Sequence, residues 1–191
     1  MYKFIKIYNL QKRFLGNVFI FISLLGIFYI YFPLLSLYFF PGKEQMLKNN
    51  SFSIEIPKIK VKSIIIPNVD PFNQKEYREA LEKGIAHAKK TSLPGDNGTS
   101  FLFGHSSDEP WRITRYNTVF LKLGELNNGD LIIINRNGKK YTYKVSDKKT
   151  VWPNEIKYLS QNKENKIILQ TCTPVGTALM RLLIFAKPIN N

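Results

Sequence analysis

Cysteine and histidine are scarce in this sequence of 191 residues, which has one cysteine, Cys172, and two histidines, His87 and His105. A single cysteine excludes an internal disulfide. No repeat or low-complexity tract stands out, and 44% of the residues are hydrophobic, as in a folded protein. The chain is long enough for one membrane segment and one domain of ordinary size.

Charge is missing from one long stretch, because no Asp, Glu, Lys or Arg lies between Phe14 and Gly42. This run exceeds the about 20 residues that span a bilayer. It also exceeds the roughly 7–15 apolar residues of a signal peptide, and no Ala-x-Ala cleavage site follows it. We therefore predict a retained transmembrane anchor at residues 14–42.

The flanks of the anchor indicate its orientation. Four basic residues precede it with no acidic residue among them: Lys3, Lys6, Lys12 and Arg13. The positive-inside rule then predicts a cytoplasmic basic N-terminus at residues 1–13. Residues 43–51 would form a polar linker and residues 52–191 an extracytoplasmic domain, so the predicted protein crosses the cell membrane once.

Basic residues outnumber acidic ones by 28 to 14, which gives a formal net charge of +14. Export argues against nucleic acid as the partner. Anionic lipid head groups or wall polymers fit the charge better, and a lysine-rich solvated surface fits it as well. The charge alone assigns no site.

Short apolar or alternating runs separated by turn residues predict that the exported domain is mainly β. One helix is expected from Asn73, with Glu76 three residues on as in a capping box, to Gly84. Asn137-Gly138 predicts a hairpin. The eight predicted strands fit a closed or nearly closed antiparallel barrel; they cover residues 51–56, 59–66, 100–103, 119–123, 131–135, 140–145 and 167–169, and the apolar run that begins at Arg181.

Cys172 lies where the apolar run 167–169 ends, and Thr173-Pro174-Val175-Gly176 then supplies a turn. Arg181 begins the apolar run that leads back. If the two runs pair as antiparallel strands, the thiol and the guanidinium lie near each other at one end of a sheet. A lone cysteine can also be a small buried hydrophobe. An unpaired thiol in an exported protein is nevertheless a candidate reactive group.

A thiol near neutral pH is mostly protonated, so a reactive one needs a base, a cation or a helix N-terminus beside it. His105 follows a predicted strand through Gly104 and stands in a loop, where catalytic groups are common. His87, flanked by two alanines, is expected to be a packed or surface histidine.

Several short motifs occur in the order that is typical of sortases: Gly84-Ile85-Ala86-His87, Leu93-Pro94-Gly95, Gly104-His105, Phe120-Leu121-Lys122-Leu123, Gly129-Asp130, Tyr141 to Val145, and Leu169-Gln170-Thr171-Cys172-Thr173-Pro174 through Arg181. The exported domain thus resembles that family over roughly residues 52 to 188. The resemblance implies a closed eight-stranded barrel, antiparallel or mixed, with one or two short helices after the membrane helix. It places His105, Cys172 and Arg181 at the family's catalytic histidine, nucleophile and arginine. Ile168 stands where the family usually has Thr, a change that a strand should accept.

The resemblance implies acyl transfer in two halves. Cys172 would attack a Leu-Pro-x-Thr-Gly-like sorting signal near the C-terminus of an exported protein, and the thioacyl enzyme would react with an amine of a cell-wall precursor or a protein lysine. His105 would move the protons, and Arg181 would stabilise the oxyanion or orient the signal. Thr171 either helps to build the substrate groove or is an ordinary strand residue.

Two further motifs are expected to have no special role. Asp70-Pro71-Phe72 resembles the lid tripeptide of pilin-polymerising sortases, but it follows the first two strands, so we predict a turn leading into the helix. The sequence also ends at Asn191 with no second span, and both points favour an anchoring or general transpeptidase. Asp108 and Glu109 resemble a calcium site in some relatives, but adjacent carboxylates usually belong to a solvated loop. We predict no metal and no cofactor.

Other classes of protein remain open. A non-catalytic, membrane-tethered β-barrel module that binds anionic wall polymer would hold Cys172 buried and inert. Papain-like proteases place Cys before His in the chain, the reverse of the order here. L,D-transpeptidases share the compartment and the Cys/His chemistry, but their His-Gly-Cys-x-Arg-type run is absent from this sequence.

Overall fold

The computed structural model describes residues 2–39, 51–107, 118–159 and 163–189. The chain divides between Phe40 and Pro41 into two compact units. The first contains helix α1, Tyr2–Phe39. The second contains eight strands and helix α2; their bounds are β1 Ser53–Ile56, β2 Val61–Val69, α2 Gln74–Leu81, β3 Ile85–Ala88, β4 Thr99–Phe103, β5 Leu131–Arg136, β6 Lys139–Val151, β7 Lys166–Thr173 and β8 Met180–Pro188.

Helix α1 covers residues 14–39 of the predicted anchor and continues into the basic residues before it. Residues 40–42 lie outside the described residues. The segment Arg13–Pro33 of this helix has 21 residues and is long and apolar enough to cross a membrane. The helix is therefore compatible with a single-pass membrane anchor. The predicted linker, residues 43–51, lies almost wholly outside the described residues.

The strands form a closed barrel in the order β1-β2-β3-β4-β7-β8-β6-β5. Two neighbouring pairs, β2 with β3 and β4 with β7, are parallel, and the other pairs are antiparallel. Helix α2 makes the crossover between β2 and β3, because parallel strands cannot be joined by a tight turn. The predicted eight-stranded barrel is confirmed in its mixed form.

The prediction of the strands needs two corrections. Residues 119–123 were expected to form a strand, but they form turns that lead into a 3-10 helix, Leu123–Glu125. Phe120 and Leu123 are fully buried, so this apolar run fills the barrel instead of pairing with a strand. In contrast, β3 was missed, because its four residues are buried on both faces and show no alternation. Because one strand was predicted in excess and one was missed, the predicted number of strands, eight, is still correct.

The hairpin of β5 and β6 is confirmed, with Asn137 and Gly138 at φ 52° and 74°. Strand β6 is longer than predicted and continues through Ser146 as far as Val151. A register shift between Val145 and Asp147 interrupts its pairing with β8, and most of the residues after it are exposed and polar. A polar strand with a bulge lacks the alternation that sequence patterns detect. After β6, a short 3-10 helix covers Ile156–Leu159.

Alternate residues of the central strands pack into two separate apolar clusters. Leu102, Leu169 and Ile184 belong to the cluster inside the barrel. Phe103, Ile168 and Leu183 belong to a second cluster on the other face of the sheet, which includes Ala80 and Leu81 of α2. We call this second face the outer face. Helix α2 covers part of it.

Helix α2 begins as predicted. The side chain of Asn73 accepts hydrogen bonds from the backbone N–H groups of Lys75 and Glu76, each at 3.2 Å. The preceding residues form the expected turn, in which Phe72 N–H donates to the Asp70 carboxylate at 3.0 Å. The helix ends at Leu81, slightly before Gly84, whose N–H donates to Ala80 O.

His87 is fully buried in β3, which confirms the expectation of a packed histidine. Its Nδ1 accepts from Asn68 N–H at 3.3 Å, so the ring proton resides on Nε2, which lies 3.0 Å from Ser92 O. Burial is the main cause that lowers the pKa of His87 below its ordinary value of 6.5; the bond to Ser92 opposes the shift and the charge of Arg136 adds to it. The folded protein therefore holds His87 neutral.

We predict that acid destabilises the barrel through His87. Because its folded-state pKa is depressed, the unfolded chain takes up the proton first, and the free energy of unfolding falls as the pH drops below about 6.5. Thermal unfolding of the full chain in detergent at pH 7.5 and pH 5 should show a smaller loss for His87→Gln than for the parent. Equal losses of thermal stability in the parent and in His87→Gln would contradict the assignment of this acid sensitivity to His87.

Candidate active site

Strands β4, β7 and β8 lie side by side, and their register aligns the three predicted site residues. In the parallel pair, Phe103 lies opposite Gln170. His105 stands two residues beyond Phe103, as Cys172 stands two beyond Gln170. The antiparallel pair places Cys172 directly opposite Arg181. The histidine, the cysteine and the arginine thus follow one another across the same end of the sheet.

The alternation of the strands shows which face the site occupies. Cys172 follows Ile168 by four residues, and Arg181 precedes Leu183 by two, so both have the parity of the outer face. Directly opposed residues in an antiparallel pair have Cβ atoms about 4.5–5.5 Å apart. Cys172, Arg181 and His105 are all partly exposed. The thiol and the guanidinium therefore share an accessible face, as predicted from the two apolar runs.

The guanidinium of Arg181 is held by the backbone just before it in the chain. Its Nη1 donates to the carbonyl oxygens of Ala178 and Met180, at 3.0 and 3.2 Å. Arginine has five N–H donors in a rigid fork. Two bonds from one nitrogen fix the plane of that fork at the end of the sheet.

The backbone around His105 is fixed on both sides. Gly104 N–H donates to Gln170 O at 3.0 Å, and Phe120 N–H donates to His105 O at 3.0 Å. A Cβ atom at Gly104 would lie 2.8 Å from Cδ2 of Phe120 and 3.1 Å from Cγ1 of Val119. Glycine is needed there because the segment that holds His105 passes so close to its neighbour.

A side-chain bond joins the segment after His105 to the connection after Cys172. Ser107 Oγ accepts from Gly176 N–H at 2.9 Å. Between His105 and Ser107, Ser106 is buried, and the described residues supply no hydrogen-bond partner for its Oγ. The two loops that border Cys172 are therefore linked to each other as well as to the sheet.

Thr171, considered as a groove residue, is buried in β7 with 3% of its surface exposed. Its hydroxyl donates to Gly104 O at 2.9 Å, which connects β7 to the start of the His105 segment. Its side chain has the parity opposite to that of Cys172, so the structure shows a strand residue with this structural bond, and a role in the groove stays a prediction. Ile168 is 1% exposed in the outer-face cluster, so isoleucine is accepted there as expected.

Tyr77 of α2 is a site residue that the sequence pattern did not single out. Its ring stacks on Phe103 at 5.3 Å between centroids and meets the ring of His105 edge-on at 6.0 Å. Burial, and then the charge of Cys172, raise the pKa of Tyr77 to about 12, while Arg181 acts in the opposite direction. The phenol is therefore neutral and lies among the three predicted residues. In the sequence, Tyr77 showed only the spacing of an apolar helix face.

A metal site is not assembled by the described residues, among which no group of three or more His, Cys, Asp or Glu side chains could hold an ion. Asp108 and Glu109, the two carboxylates considered for calcium, lie outside the described residues. The described part of the site thus offers thiol, imidazole and guanidinium chemistry.

The fold is a closed mixed barrel, and a thiol, an imidazole and a guanidinium lie at one end of its sheet. These two features together define the class of protein. A family model described as the sortase domain matches residues 54–189. The chain belongs to the sortase family. It is 31% identical over 140 residues to Sortase D of Bacillus subtilis (strain 168), a match that covers 71% of this chain and 62% of that relative. The chain thus spans less than two thirds of the length of that relative.

Solved structures support the same family. Sortase C-1 from Actinomyces oris is similar with a TM-score of 0.62 and 28% identity, over 76% of this chain and 75% of that chain. A Clostridium perfringens Sortase D5 transpeptidase is similar with a TM-score of 0.59 and 27% identity, over 75% and 82%. Sortase A from Corynebacterium diphtheriae, in a lid mutant, gives 0.61 and 27%, over 77% and 74%. Sortases of three lettered types therefore resemble this chain to a similar degree.

Gly104→Ala should destabilise the barrel, because the added methyl group overlaps the ring of Phe120 in a filled interior. Overpacking of this kind typically costs about 1–3 kcal/mol. Chemical unfolding of the full chain in detergent measures the loss. Gly124→Ala is the matched control, since its Cβ would meet only Leu182 at an ordinary 3.7 Å. A Gly104→Ala protein as stable as Gly124→Ala would show that the segment is looser than described.

Proposed function

We propose that this chain is a sortase-type cysteine transpeptidase, with Cys172 as nucleophile, His105 as proton carrier and Arg181 as the cation of the site. The observation that supports this most is the register of β4, β7 and β8, which aligns these three residues on one accessible face. Family membership supplies the class of reaction. The resemblance of the sequence motifs to those of sortases implies the expected substrate.

In the first half of the reaction, the Cys172 thiolate attacks the carbonyl carbon of the Thr residue in a Leu-Pro-x-Thr-Gly-like signal. A C–S bond forms, and the carbonyl oxygen carries the negative charge. When the C–N bond to the next residue breaks, His105 gives its proton to the departing amine. The N-terminal part of the substrate remains on Cys172 as a thioester.

In the second half, an amine of a cell-wall precursor or a protein lysine attacks that thioester. His105 takes the proton of the attacking amine, a new C–N bond forms, and the sulfur leaves as thiolate. Arg181 stabilises the oxyanion of both tetrahedral intermediates or orients the signal. Its fixed guanidinium suits either role, because a preformed donor needs no reorganisation during the reaction.

The site is placed outside the cytoplasm in this proposal. Residues 1–13 stay in the cytoplasm, residues 14–42 anchor the chain, residues 43–51 link the two units, and residues 52–191 act on exported proteins. The span Arg13–Pro33 and the basic residues before it support this topology. The predicted partners are exported proteins with a sorting signal, an amine acceptor and the membrane.

The rival hypothesis, a non-catalytic barrel that binds anionic wall polymer, requires an inert and buried sulfur. Cys172 is partly exposed at a strand end, directly opposite a half-buried arginine. A partly exposed sulfur can reach a substrate, whereas one enclosed in an apolar core cannot. The surroundings of Cys172 therefore favour the enzyme.

Activity is tested by incubating the full chain in detergent with a library of sorting-signal peptides and a small amine, and analysing the products by mass spectrometry. The parent should release the C-terminal fragment and join the rest to the amine. Cys172→Ala should abolish both, and His105→Ala should cost about 10²–10⁴-fold in rate. A parent that processes no peptide, or a Cys172→Ala variant that still does, would contradict the proposal.

Arg181→Ala should lower the rate of the same reaction about 10²–10³-fold, the typical cost of one lost oxyanion donor. Arg181→Lys keeps the charge but not the planar fork, so we expect an intermediate rate. Lys187→Ala removes an exposed cation from the same strand and serves as the control, with nearly parental activity. Equal rates for Arg181→Ala and Lys187→Ala would remove Arg181 from the mechanism.

The topology can be tested with the only thiol in the chain. In intact cells, a membrane-impermeant maleimide should label Cys172, since the barrel is expected outside. A Cys172→Ala variant that carries Lys3→Cys should be labelled only after lysis. The reverse pattern would show that the chain is oriented the other way.

A further inference from the structure

Tyr77 lies where helix α2 meets the outer face of β4. Its ring is parallel to that of Phe103, with an interplanar angle of 11°, and nearly perpendicular to that of His105, at 81°. Phe103 is the last residue of β4 and is 2% exposed, so it forms a fixed base for the tyrosine ring. Tyr77 therefore connects a rigid strand residue to the imidazole of the site.

Helix α2 is fixed firmly enough to place this ring. Asn73 caps its first turn, and Ala80 and Leu81 of its last turn are buried in the outer-face cluster. Tyr77 lies one turn after the cap, with its side chain packed against the same cluster. A stacked or edge-on aromatic pair adds stabilisation beyond the burial of its area. Together these contacts give the tyrosine one defined orientation.

His105 lies beyond the end of β4, in a segment without ladder pairing. Its backbone is fixed by Phe120, while the rotation of the imidazole about its side-chain bonds is set by contacts of the ring itself. The ring of Tyr77 restricts that rotation from one side. Its raised pKa agrees with this location, because burial and the nearby Cys172 are the two main causes.

We propose that Tyr77 is a positioning residue, whose ring holds the imidazole of His105 in the orientation that serves Cys172. The inference rests on the proposed transpeptidase function. It assigns the effect to the aromatic ring and not to the hydroxyl, since the contact with His105 is between rings. A misplacement of about 1 Å in a catalytic group can cost about 10²-fold in rate, so loss of the ring should be visible in turnover.

Three variants of the full chain separate the ring from the hydroxyl and from general packing. Tyr77→Leu removes the ring, and Tyr77→Phe removes only the hydroxyl. Tyr158→Leu is the matched control, because Tyr158 is also half-buried against the outer-face cluster and meets Phe185 edge-on at 5.8 Å. Thermal unfolding of all three shows whether the two leucine variants lose similar stability.

In the peptide assay, Tyr77→Leu should lower kcat about 10- to 100-fold with KM nearly unchanged, since the imidazole and not the signal loses its support. Tyr77→Phe should keep kcat within about twofold of the parent, and Tyr158→Leu should do the same despite its loss of stability. Parental kcat in Tyr77→Leu would overturn the proposal. So would an equal loss in Tyr77→Phe, which would transfer the effect to the hydroxyl.

A second measurement works without any substrate. The chain has two histidines, so ring signals in NMR spectra are few, and His105→Gln identifies the signal of His105. That signal should be the same in the parent and in Tyr77→Phe, and should move toward the position of a free imidazole in Tyr77→Leu. An unchanged signal in Tyr77→Leu overturns the positioning role. If the parent processes no peptide while the signal moves as expected, the failure lies in the proposed function.

Discussion

The pairing register of β4, β7 and β8 is the constraint on which the candidate site depends. Parallel pairing aligns Phe103 with Gln170, and antiparallel pairing aligns Cys172 with Arg181. A shift of one residue in either pair would turn a site residue to the barrel interior, because side chains alternate between the two faces. The buried residues Leu169 and Ile184 on one face, and Ile168 and Leu183 on the other, oppose such a shift. The packing of both clusters thus also fixes the chemistry.

The outer face explains how a closed barrel offers an accessible site. Among the described residues, the barrel interior is packed mainly with buried apolar side chains. The site instead uses the last positions of the outer face, beyond the part that α2 covers. Bonds from Thr171 to Gly104 and from Gly176 to Ser107 join the loops around Cys172 to the sheet. The proposed reactive groups are therefore partly exposed while their backbones are fixed.

Sequence reasoning identified the barrel and the alignment of Cys172 with Arg181, because the strands around them are apolar and end in clear turn residues. It failed where burial hid the pattern: the fully buried β3 shows no alternation, and the buried run at 119–123 has strand composition but no partner strand. The polar end of β6 was missed because its residues are mostly exposed and polar, so that it also lacks the alternation of a half-buried strand. Tyr77 was also missed as a site residue, since its contact with His105 depends on how α2 packs against β4.

The central claim is that the thiol at the end of β7 is the nucleophile of an acyl transfer. The most direct test is the intact mass of the full chain after incubation with sorting-signal peptides in the absence of an acceptor amine. The account predicts a mass increase equal to the acyl part of one peptide, located on Cys172 and removed by hydroxylamine. A chain that cleaves its peptide without gaining mass on Cys172 at any time, or that gains it on another residue, would contradict the account.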